Sequence, residues 1–278
     1  MTIHHKKSLT NETKKFNQRF KECIQYTYFW NNSNQKIVKA ILFAAGLGTR
    51  LGEYTSDRPK ALVNLNGKPL LQHAIEHLKK FGINDITINV FHFAEQIISF
   101  VAENNSFGIS IHISDEREQL LDTGGGLKKA KELLIGTEPI LIYNVDIISN
   151  LDLNEFLRYH LENRALATLA VRNRKTSRYL MFDYDLQLSG WKNFSNGETR
   201  ISREGSFNNS QPFAFSGIHL IQPQLLDLIT EEGKFPIMDL YLRLATQHPI
   251  KAYIDRSDLW MDLGKPDQLK AAELLLQP

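Results

Sequence analysis

Apolar residues along the chain fall into two patterns, which alternate from residue 38 onwards. The short continuous apolar run at residues 40–45 is typical of a buried strand, and Asp85–Val90 is a further predicted strand. Other stretches carry apolar residues at helical spacing. The clearest, residues 69–82, also has proline at its first position, lysines in its last turn and a closing glycine. Strands that alternate with helices predict an α/β fold with a mainly parallel sheet.

The same patterns predict the remaining elements of the domain. Residues 180–191 resemble a hairpin around Tyr184 and Asp185, and the stretch 192–212 is polar and irregular. Further helices are expected at 93–103, 127–134, 152–163, after Pro236 and at 267–277, and further strands at 109–113, 139–145, 165–171, 213–221 and 250–254. The predicted architecture is a Rossmann-like mixed sheet with helices on both faces. Ligands of such sheets bind at the carboxyl ends of the strands.

The first strand ends in a glycine loop, residues 46–50, with the sequence Gly-Leu-Gly-Thr-Arg. Glycines allow a sharp turn that presents backbone N–H groups to an anion. Arg50 adds a planar cationic group that suits phosphate oxygens, and Lys60 follows after the rigid Pro59. This arrangement predicts a binding site for a triphosphate.

Two commoner glycine loops are excluded by the sequence. A dinucleotide-binding loop needs a third glycine where Leu51 lies, and an acidic residue about 20 positions later at the end of the next strand. The next convincing strand, Asp85–Val90, comes too late. A P-loop needs Gly-Lys followed by Ser or Thr, and the three Gly-Lys pairs of this chain are followed by Pro, Phe and Pro.

Three later features add candidate chemistry. Thr123 is followed by three consecutive glycines. We expect these glycines to precede a helix and to place bare backbone against a flat or anionic ligand. Asp146 ends a strongly apolar strand, a position that packing explains poorly. Asp262 lies in the segment Trp260-Met261-Asp262-Leu263-Gly264-Lys265-Pro266, just before the last predicted helix.

Together these motifs resemble the signature of sugar-1-phosphate nucleotidylyltransferases, over residues 38–278. The segments are A-A-G-x-G-T-R-L followed by P-K, then T-G-G-G, then W-x-D-x-G-x-P. The T-G-G-G form is similar to that of N-acetylmuramate-1-phosphate uridylyltransferases and of some heptose-1-phosphate guanylyltransferases. The family usually has glycine where this chain has Val145, so the backbone beside Asp146 is expected to differ slightly.

The resemblance implies specific roles for these residues. Arg50, Lys60 and Asp146 are expected to be catalytic, and Asp146 and Asp262 to bind Mg²⁺, the expected cofactor. Nucleotide contacts are expected from Ala44, Ala45, Gly46, Leu47, Gly48, Thr49, Arg50, Lys60, Thr123, Gly124 and Gly125, and sugar-phosphate contacts from Asn144, Lys192 and Gly217.

The expected reaction joins a nucleoside triphosphate to a sugar 1-phosphate and releases pyrophosphate. We expect UTP and N-acetylmuramate 1-phosphate, as in cell-wall (peptidoglycan) recycling. Seven cations in residues 172–203 are available to the lactyl carboxylate of this acceptor: Arg172, Arg174, Lys175, Arg178, Lys192, Arg200 and Arg203. The alternatives are a mannose- or heptose-1-phosphate guanylyltransferase and a non-catalytic regulator that binds a sugar nucleotide.

Charge and composition limit the other function classes. The net charge of +2 conceals a basic extension, residues 1–37, because residues 1–36 carry seven Lys/Arg and two Asp/Glu. The remainder is acidic by three charges, which argues against nucleic-acid binding. The single cysteine, Cys23, excludes an internal disulfide. No apolar run is long enough to span a bilayer, and we expect a cytoplasmic monomer or small homo-oligomer with a dispensable extension.

Overall fold

The computed structural model describes residues 39–276, so the predicted extension at 1–37 lies outside the described residues. The strands are β1 (Lys39–Phe43), β2 (Asn64–Leu65), β3 (Lys68–Pro69), β4 (Asp85–Val90), β5 (Ser110–Asp115), β6 (Ile140–Asn144), β7 (Ile147–Ser149), β8 (Ala167–Arg172), β9 (Arg178–Phe182), β10 (Leu188–Asn193), β11 (Thr199–Ile201), β12 (Gln211–Ile221), β13 (Ile250–Ile254) and β14 (Trp260–Asp262). The helices are α1 (Leu70–Lys80), α2 (Ala94–Glu103), α3 (Asp122–Lys129), α4 (Leu153–Glu162), α5 (Glu204–Phe207), α6 (Ile237–Leu244) and α7 (Pro266–Leu275).

The central sheet of this region has ten strands and is mixed. The strands β5, β4, β1 and β6 are adjacent and parallel, and β12 then pairs antiparallel with β6. The next strand, β8, is antiparallel to β12 and therefore runs in the same direction as β6, with β13 parallel at its outer side. The hairpin β9–β10 and the short β11 extend the sheet along the far part of β12. The predicted fold class is confirmed.

Each face of the sheet is covered by an apolar layer. On one face, Leu71 and Ile75 of α1 and Ile97 of α2 are fully buried. On the other, Leu127 of α3 and Leu240 of α6 are fully buried. Burying each such side chain stabilises the fold by about 1.5–3 kcal/mol. Helices on both faces leave the carboxyl edge of the parallel strands as the open part of the sheet.

The register of the strands shows where the carboxyl edge of the sheet lies. Phe43, the last residue of β1, pairs with Asn89 of β4 on one side and with Asn144 of β6 on the other. The three parallel strands therefore end at about the same level. The glycine loop leaves the sheet directly after Phe43, and Asp146 lies two residues after Asn144.

The structure corrects two predictions about local structure. Helix α3 begins at Asp122, so the three glycines lie inside the helix rather than before it. The polar stretch 192–212 is more regular than expected, because it contains β11 and the short helix α5.

Candidate active site

A cleft of about 380 Å³ opens at the carboxyl edge of β1, β4 and β6. Its walls come from the glycine loop, the ends of these strands and the first turn of α3. The lining residues are Phe43, Ala44, Ala45, Gly46, Leu47, Gly48, Thr49, Arg50, Lys60, Asn89, Glu116, Leu120, Asp122, Thr123, Asn144, Val145, Asp146, Lys234 and Gly264. Most of the residues predicted from the glycine loop, together with Lys60, Thr123, Asn144 and Asp146, therefore lie around one space.

The glycine loop is shaped to present free backbone N–H groups. Gly48 has a φ of 67°, and a Cβ there would lie 2.9 Å from Thr55 Cγ2 and 3.0 Å from Lys60 Cβ. Glycine at this position therefore allows both the left-handed turn and the close approach of Lys60. The N–H groups of residues 46–48 donate to no backbone carbonyl within residues 39–276. Such unpaired donors can bind phosphate oxygens.

The two residues before the loop use their N–H groups differently. Ala44 N and Ala45 N donate to Asn89 Oδ1 at 2.7 and 3.2 Å. Asn89 Nδ2 in turn donates to Glu116 Oε1 at 2.8 Å. The N–H groups of Ala44 and Ala45 are thus engaged within the protein, and these residues can offer a nucleotide their carbonyl groups and side chains.

Glu116 is a buried carboxylate in the wall of the cleft. It also accepts a hydrogen bond from Leu121 N at 3.2 Å. Burial raises the pKa of this carboxyl above its ordinary value, although the hydrogen bonds from Asn89 and Leu121 act in the opposite direction. Neither Asn89 nor Glu116 is among the site residues predicted from the sequence. The available signal for Asn89 was a polar side chain next to the end of a predicted strand, on the edge of the sheet where ligands bind.

Lys60 and Asp146 form an ion pair inside the cleft. Lys60 begins a short 3₁₀ helix after Pro59, and Asp146 lies in the turn between β6 and β7. Their side chains are largely buried and in direct contact. An ammonium group and a carboxylate are therefore held together beside the glycine loop, where phosphate groups of a nucleotide would lie.

Asp262 is brought to the same place by the pairing of β14 with β7. Asp262 is opposite Ile147, and Leu263 N donates to Asp146 O at 2.9 Å. The Asp262 carboxylate accepts a hydrogen bond from Gly264 N at 2.9 Å. A Cβ on Gly264 would lie 2.7 Å from Arg50 Nη2 and 2.9 Å from Asp262 Oδ1, so the Arg50 guanidinium also packs here.

The donor set of this region suits a magnesium ion. Mg²⁺ commonly uses one or two protein carboxylates and completes its shell with water and substrate phosphates. Asp146 lines the cleft, and Asp262, the last residue of β14, lies beside it through the pairing of β14 with β7, although Asp262 is not among the lining residues. No cluster of three or more His, Cys, Asp or Glu suited to a metal is found in residues 39–276, so this site could supply at most two protein carboxylates.

The glycines of α3 serve packing within the protein. Gly124 N and Gly125 N donate to Phe235 O at 2.9 and 3.2 Å. A Cβ on Gly124 would lie 2.3 Å from the Phe235 ring, and one on Gly125 would lie 2.3 Å from Gly233 O. Neither glycine lines the cleft. Their small size lets the segment 233–235 approach the helix, which differs from the expected ligand contact.

The predicted sugar-side residues are divided by the structure. Gly217 has a φ of 77° in an irregular part of β12, and a Cβ there would lie 3.0 Å from Asn144 Nδ2. It therefore supports Asn144, which lines the cleft. Lys192 does not line it, and its ammonium group lies 4.9 Å from the centroid of the Phe194 ring.

Comparison with known proteins agrees with this arrangement. The model of the family described as nucleotidyl transferase matches residues 39–277. The chain belongs to the nucleotidyl transferase family. It is 31% identical over 248 residues to N-acetylmuramate alpha-1-phosphate uridylyltransferase of Caulobacter vibrioides, covering 85% of this chain and 96% of that protein. It is 28% identical to the mannose-1-phosphate guanylyltransferase catalytic subunit beta of Xenopus tropicalis, of which it spans 62%.

Solved structures of related proteins share the fold. HddC from Yersinia pseudotuberculosis superposes with a TM-score of 0.70 at 21% identity, covering 87% of this chain and all of that one. The UDP-glucose pyrophosphorylase of Acinetobacter gives a TM-score of 0.69 at 16% identity, covering 86% and 93% of the two chains. The family match and the curated relatives support sugar-1-phosphate nucleotidyl transfer as the activity of this nucleotidyl transferase. None of the helices in its described part has the length and hydropathy needed to cross a bilayer.

Proposed function

We propose that this nucleotidyl transferase joins UMP from UTP to N-acetylmuramate 1-phosphate and releases pyrophosphate. The observation that carries the proposal is the meeting of the glycine loop, Lys60 and Asp146 around one cleft, with Asp262 next to Asp146. The uridylyltransferase relative matches over 96% of its length, which supports this choice of substrates. A role in recycling of the cell wall would follow from them.

The reaction needs positioning of anions more than acid–base chemistry. An oxygen of the sugar phosphate attacks the α-phosphorus of UTP, a new P–O bond forms, and the bond to the β-phosphate oxygen breaks to release pyrophosphate. The attacking oxygen is already ionised at neutral pH, so no general base is required. What the protein must supply is alignment and charge neutralisation in the transition state.

Each group in the cleft has a role in this scheme. The free N–H groups of residues 46–48 and the Arg50 guanidinium hold the β- and γ-phosphates that become pyrophosphate. Lys60 contacts the α-phosphate and the incoming sugar phosphate, and its charge opposes that of the pentavalent centre. Asp146 and Asp262 would hold Mg²⁺, which would supply further neutralisation of the phosphate oxygens.

Glu116 gives the guanylyltransferase alternative a specific basis. Its buried carboxylate lines the cleft near the first turn of α3, where a base would lie. A carboxylate can accept hydrogen bonds from the N–H and exocyclic amine of guanine, whereas uracil offers one N–H. Against this, the packing of Phe235 on Gly124 closes the side of α3 where a larger base would need room.

The deciding experiment measures pyrophosphate release with UTP, GTP, CTP and dTTP, each with N-acetylmuramate, mannose and heptose 1-phosphate. We expect kcat/KM to be highest for UTP with N-acetylmuramate 1-phosphate. A preference for GTP with mannose or heptose 1-phosphate would replace the substrate assignment and leave the nucleotidyl-transfer scheme in place. Binding of sugar nucleotides without turnover of any pair would favour the regulator.

A further inference from the structure

Arg172 and Arg174, only two residues apart, have contrasting environments. Arg172 is the last residue of β8, and Arg174 lies two residues beyond it. Because β8 and β6 run in the same direction, their carboxyl ends lie at the same edge of the sheet. Arg172 Nη1 donates to Asp255 Oδ2 at 2.6 Å and Ser257 Oγ at 2.9 Å, and its Nη2 donates to Ser257 O at 2.6 Å. Its charge is neutralised within the protein, and its role is structural.

Arg174 has far fewer partners. Its Nη2 donates to Phe215 O at 3.0 Å, and its Nε is buried without a hydrogen-bond partner. No carboxylate within residues 39–276 forms a salt bridge with it. Burial lowers the pKa of its guanidinium from the ordinary value, and the largest opposing influence is the charge of Asp262. A half-buried arginine has five N–H donors, so most of the hydrogen-bonding capacity of Arg174 is unused.

The orientation of this guanidinium is nevertheless fixed. Its central carbon lies 4.5 Å from the centroid of the Trp260 ring, and Trp260 Nε1 donates to Ser216 O at 2.9 Å. Stacking on an aromatic face holds the planar group in one plane. Trp260 and Asp262 are two residues apart on β14 and therefore share one face of that strand.

The other cations of residues 172–203 are less suited to bind a ligand. Arg200 pairs with Asp239, Arg203 donates to Ala245 O, and Lys192 lies over Phe194. Lys175 and Arg178 are exposed. Arg174 alone among the seven combines partial burial, a fixed plane and a position close to Asp262.

We propose that Arg174 is an acceptor-binding residue, which holds an anionic oxygen pair of the sugar 1-phosphate, either its phosphate or a carboxylate substituent. This inference rests on the proposed function. A planar guanidinium matches the two oxygens of either group. Arg174 lies over Trp260, two residues from Asp262, and its partner Phe215 is two residues from Gly217, which packs against Asn144 of the cleft. Arg174 would bind the acceptor while the loop binds the triphosphate.

The test compares kinetics of the full chain and its Arg174→Gln and Arg174→Lys variants. The two acceptors are N-acetylmuramate 1-phosphate and N-acetylglucosamine 1-phosphate, which lacks the lactyl carboxylate. We expect Arg174→Gln to raise the acceptor KM about 10–100-fold and to leave the UTP KM within about twofold. Arg174→Lys should recover only part of the loss, because an ammonium group lacks the planar pair of donors.

The pattern across acceptors identifies the anion. An increase confined to N-acetylmuramate 1-phosphate assigns Arg174 to the carboxylate, and an equal increase for both assigns it to the phosphate. The control, Arg158→Gln, removes the same charge from the exposed side of α4 and should leave both KM values unchanged. Arg172→Gln should instead lower Tm.

Two results would contradict the proposals, and they are distinguishable. A wild-type protein that turns over these acceptors, with unchanged acceptor KM in a folded Arg174→Gln variant, would overturn the role of Arg174. A wild-type protein that neither turns over nor binds any sugar 1-phosphate, mannose and heptose 1-phosphates included, would overturn the proposed function and this inference with it. Binding is followed by the fluorescence of Trp260, with Trp260→Phe as the reference.

Discussion

The two sides of the cleft are built in different ways. The proposed nucleotide side is formed by one continuous segment, residues 44–50, which follows a parallel strand and offers mainly backbone groups. The proposed acceptor side depends on side chains of separate segments: Arg174, and Asp146 and Asp262, which lie between the two sides. A backbone site is encoded locally by its glycines. A side-chain site depends on the sheet to bring distant residues together.

Removal of a candidate metal ligand should have the largest effect, because Asp146 and Asp262 join the two sides. Asp146→Asn and Asp262→Asn should each lower kcat by about 100-fold or more, since charge neutralisation in the transition state would be lost. EDTA should abolish turnover, and added Mg²⁺ should restore it in the wild type. Steady-state rates of pyrophosphate release measure all three.

Asp152→Asn is the matched control for these variants. Asp152 caps the N-terminus of α4, where its carboxylate accepts hydrogen bonds from Asn154 N at 2.8 Å and Glu155 N at 3.1 Å. Asparagine is also a good N-cap, so the rate and Tm should both remain close to those of the wild type. Retention of more than half of the activity by both Asp146→Asn and Asp262→Asn would show that the metal assignment is wrong.

A smaller effect, limited to the nucleotide side, is expected from Asn89. Its Oδ1 accepts the N–H groups of Ala44 and Ala45, which hold the start of the glycine loop. In Asn89→Ala these buried donors lose their partner, at a cost of about 1–3 kcal/mol of stability. We expect a lower Tm and an increased KM for UTP, with the acceptor KM unchanged.

Thr87→Val provides the comparison for Asn89. Thr87 lies on the same face of β4, is equally buried, and its Oγ1 has no hydrogen-bond partner. Removing this hydroxyl should therefore leave both KM values unchanged. If Asn89→Ala raised the acceptor KM as much as the UTP KM, the two sides of the cleft would not be separable in this way.

The same contrast explains how far the sequence could predict the molecule. The strand Asp85–Val90 and the strand Ile250–Ile254 have the predicted bounds, because apolar residues recur at every second position in each of them. Most helices begin and end within a few residues of the prediction. The glycine loop could also be predicted, because its geometry depends on residues that are adjacent in the chain.

The structure differs from the predictions where packing between distant segments decides. The glycines of α3 were predicted to contact a ligand. In the structure, their lack of a side chain instead allows Phe235 to approach the helix closely. Lys192 was predicted to bind the sugar phosphate because it is a cation in the second half of the chain. Lys192 does not line the cleft because β10 pairs with β9 and β11, and this pairing could not be predicted from the sequence.

The smallest effect at neutral pH is expected from His160, which is buried where α4 packs against β8. Its Nδ1 lies 2.8 Å from Thr168 Oγ1. Burial lowers its pKa from 6.5 to about 4. The unfolded chain therefore binds more protons than the folded one below pH 6.5, so the stability from neutral His160 is complete above that pH and declines towards pH 4. At pH 5 the loss should be about 2 kcal/mol.

Chemical unfolding at pH 7.5 and pH 5.0 measures this contribution. His160→Gln should reduce the difference between the two free energies of unfolding by about 2 kcal/mol, because glutamine does not titrate. His92→Gln, which changes an exposed histidine, should leave the difference as in the wild type. His77, buried against Phe81 and Tyr143, has a pKa lowered to about 4 by burial and by the nearby Lys80. His77→Gln should therefore reduce the difference by a similar amount. An unchanged difference in His160→Gln would show that His160 does not carry this share of the loss of stability in acid.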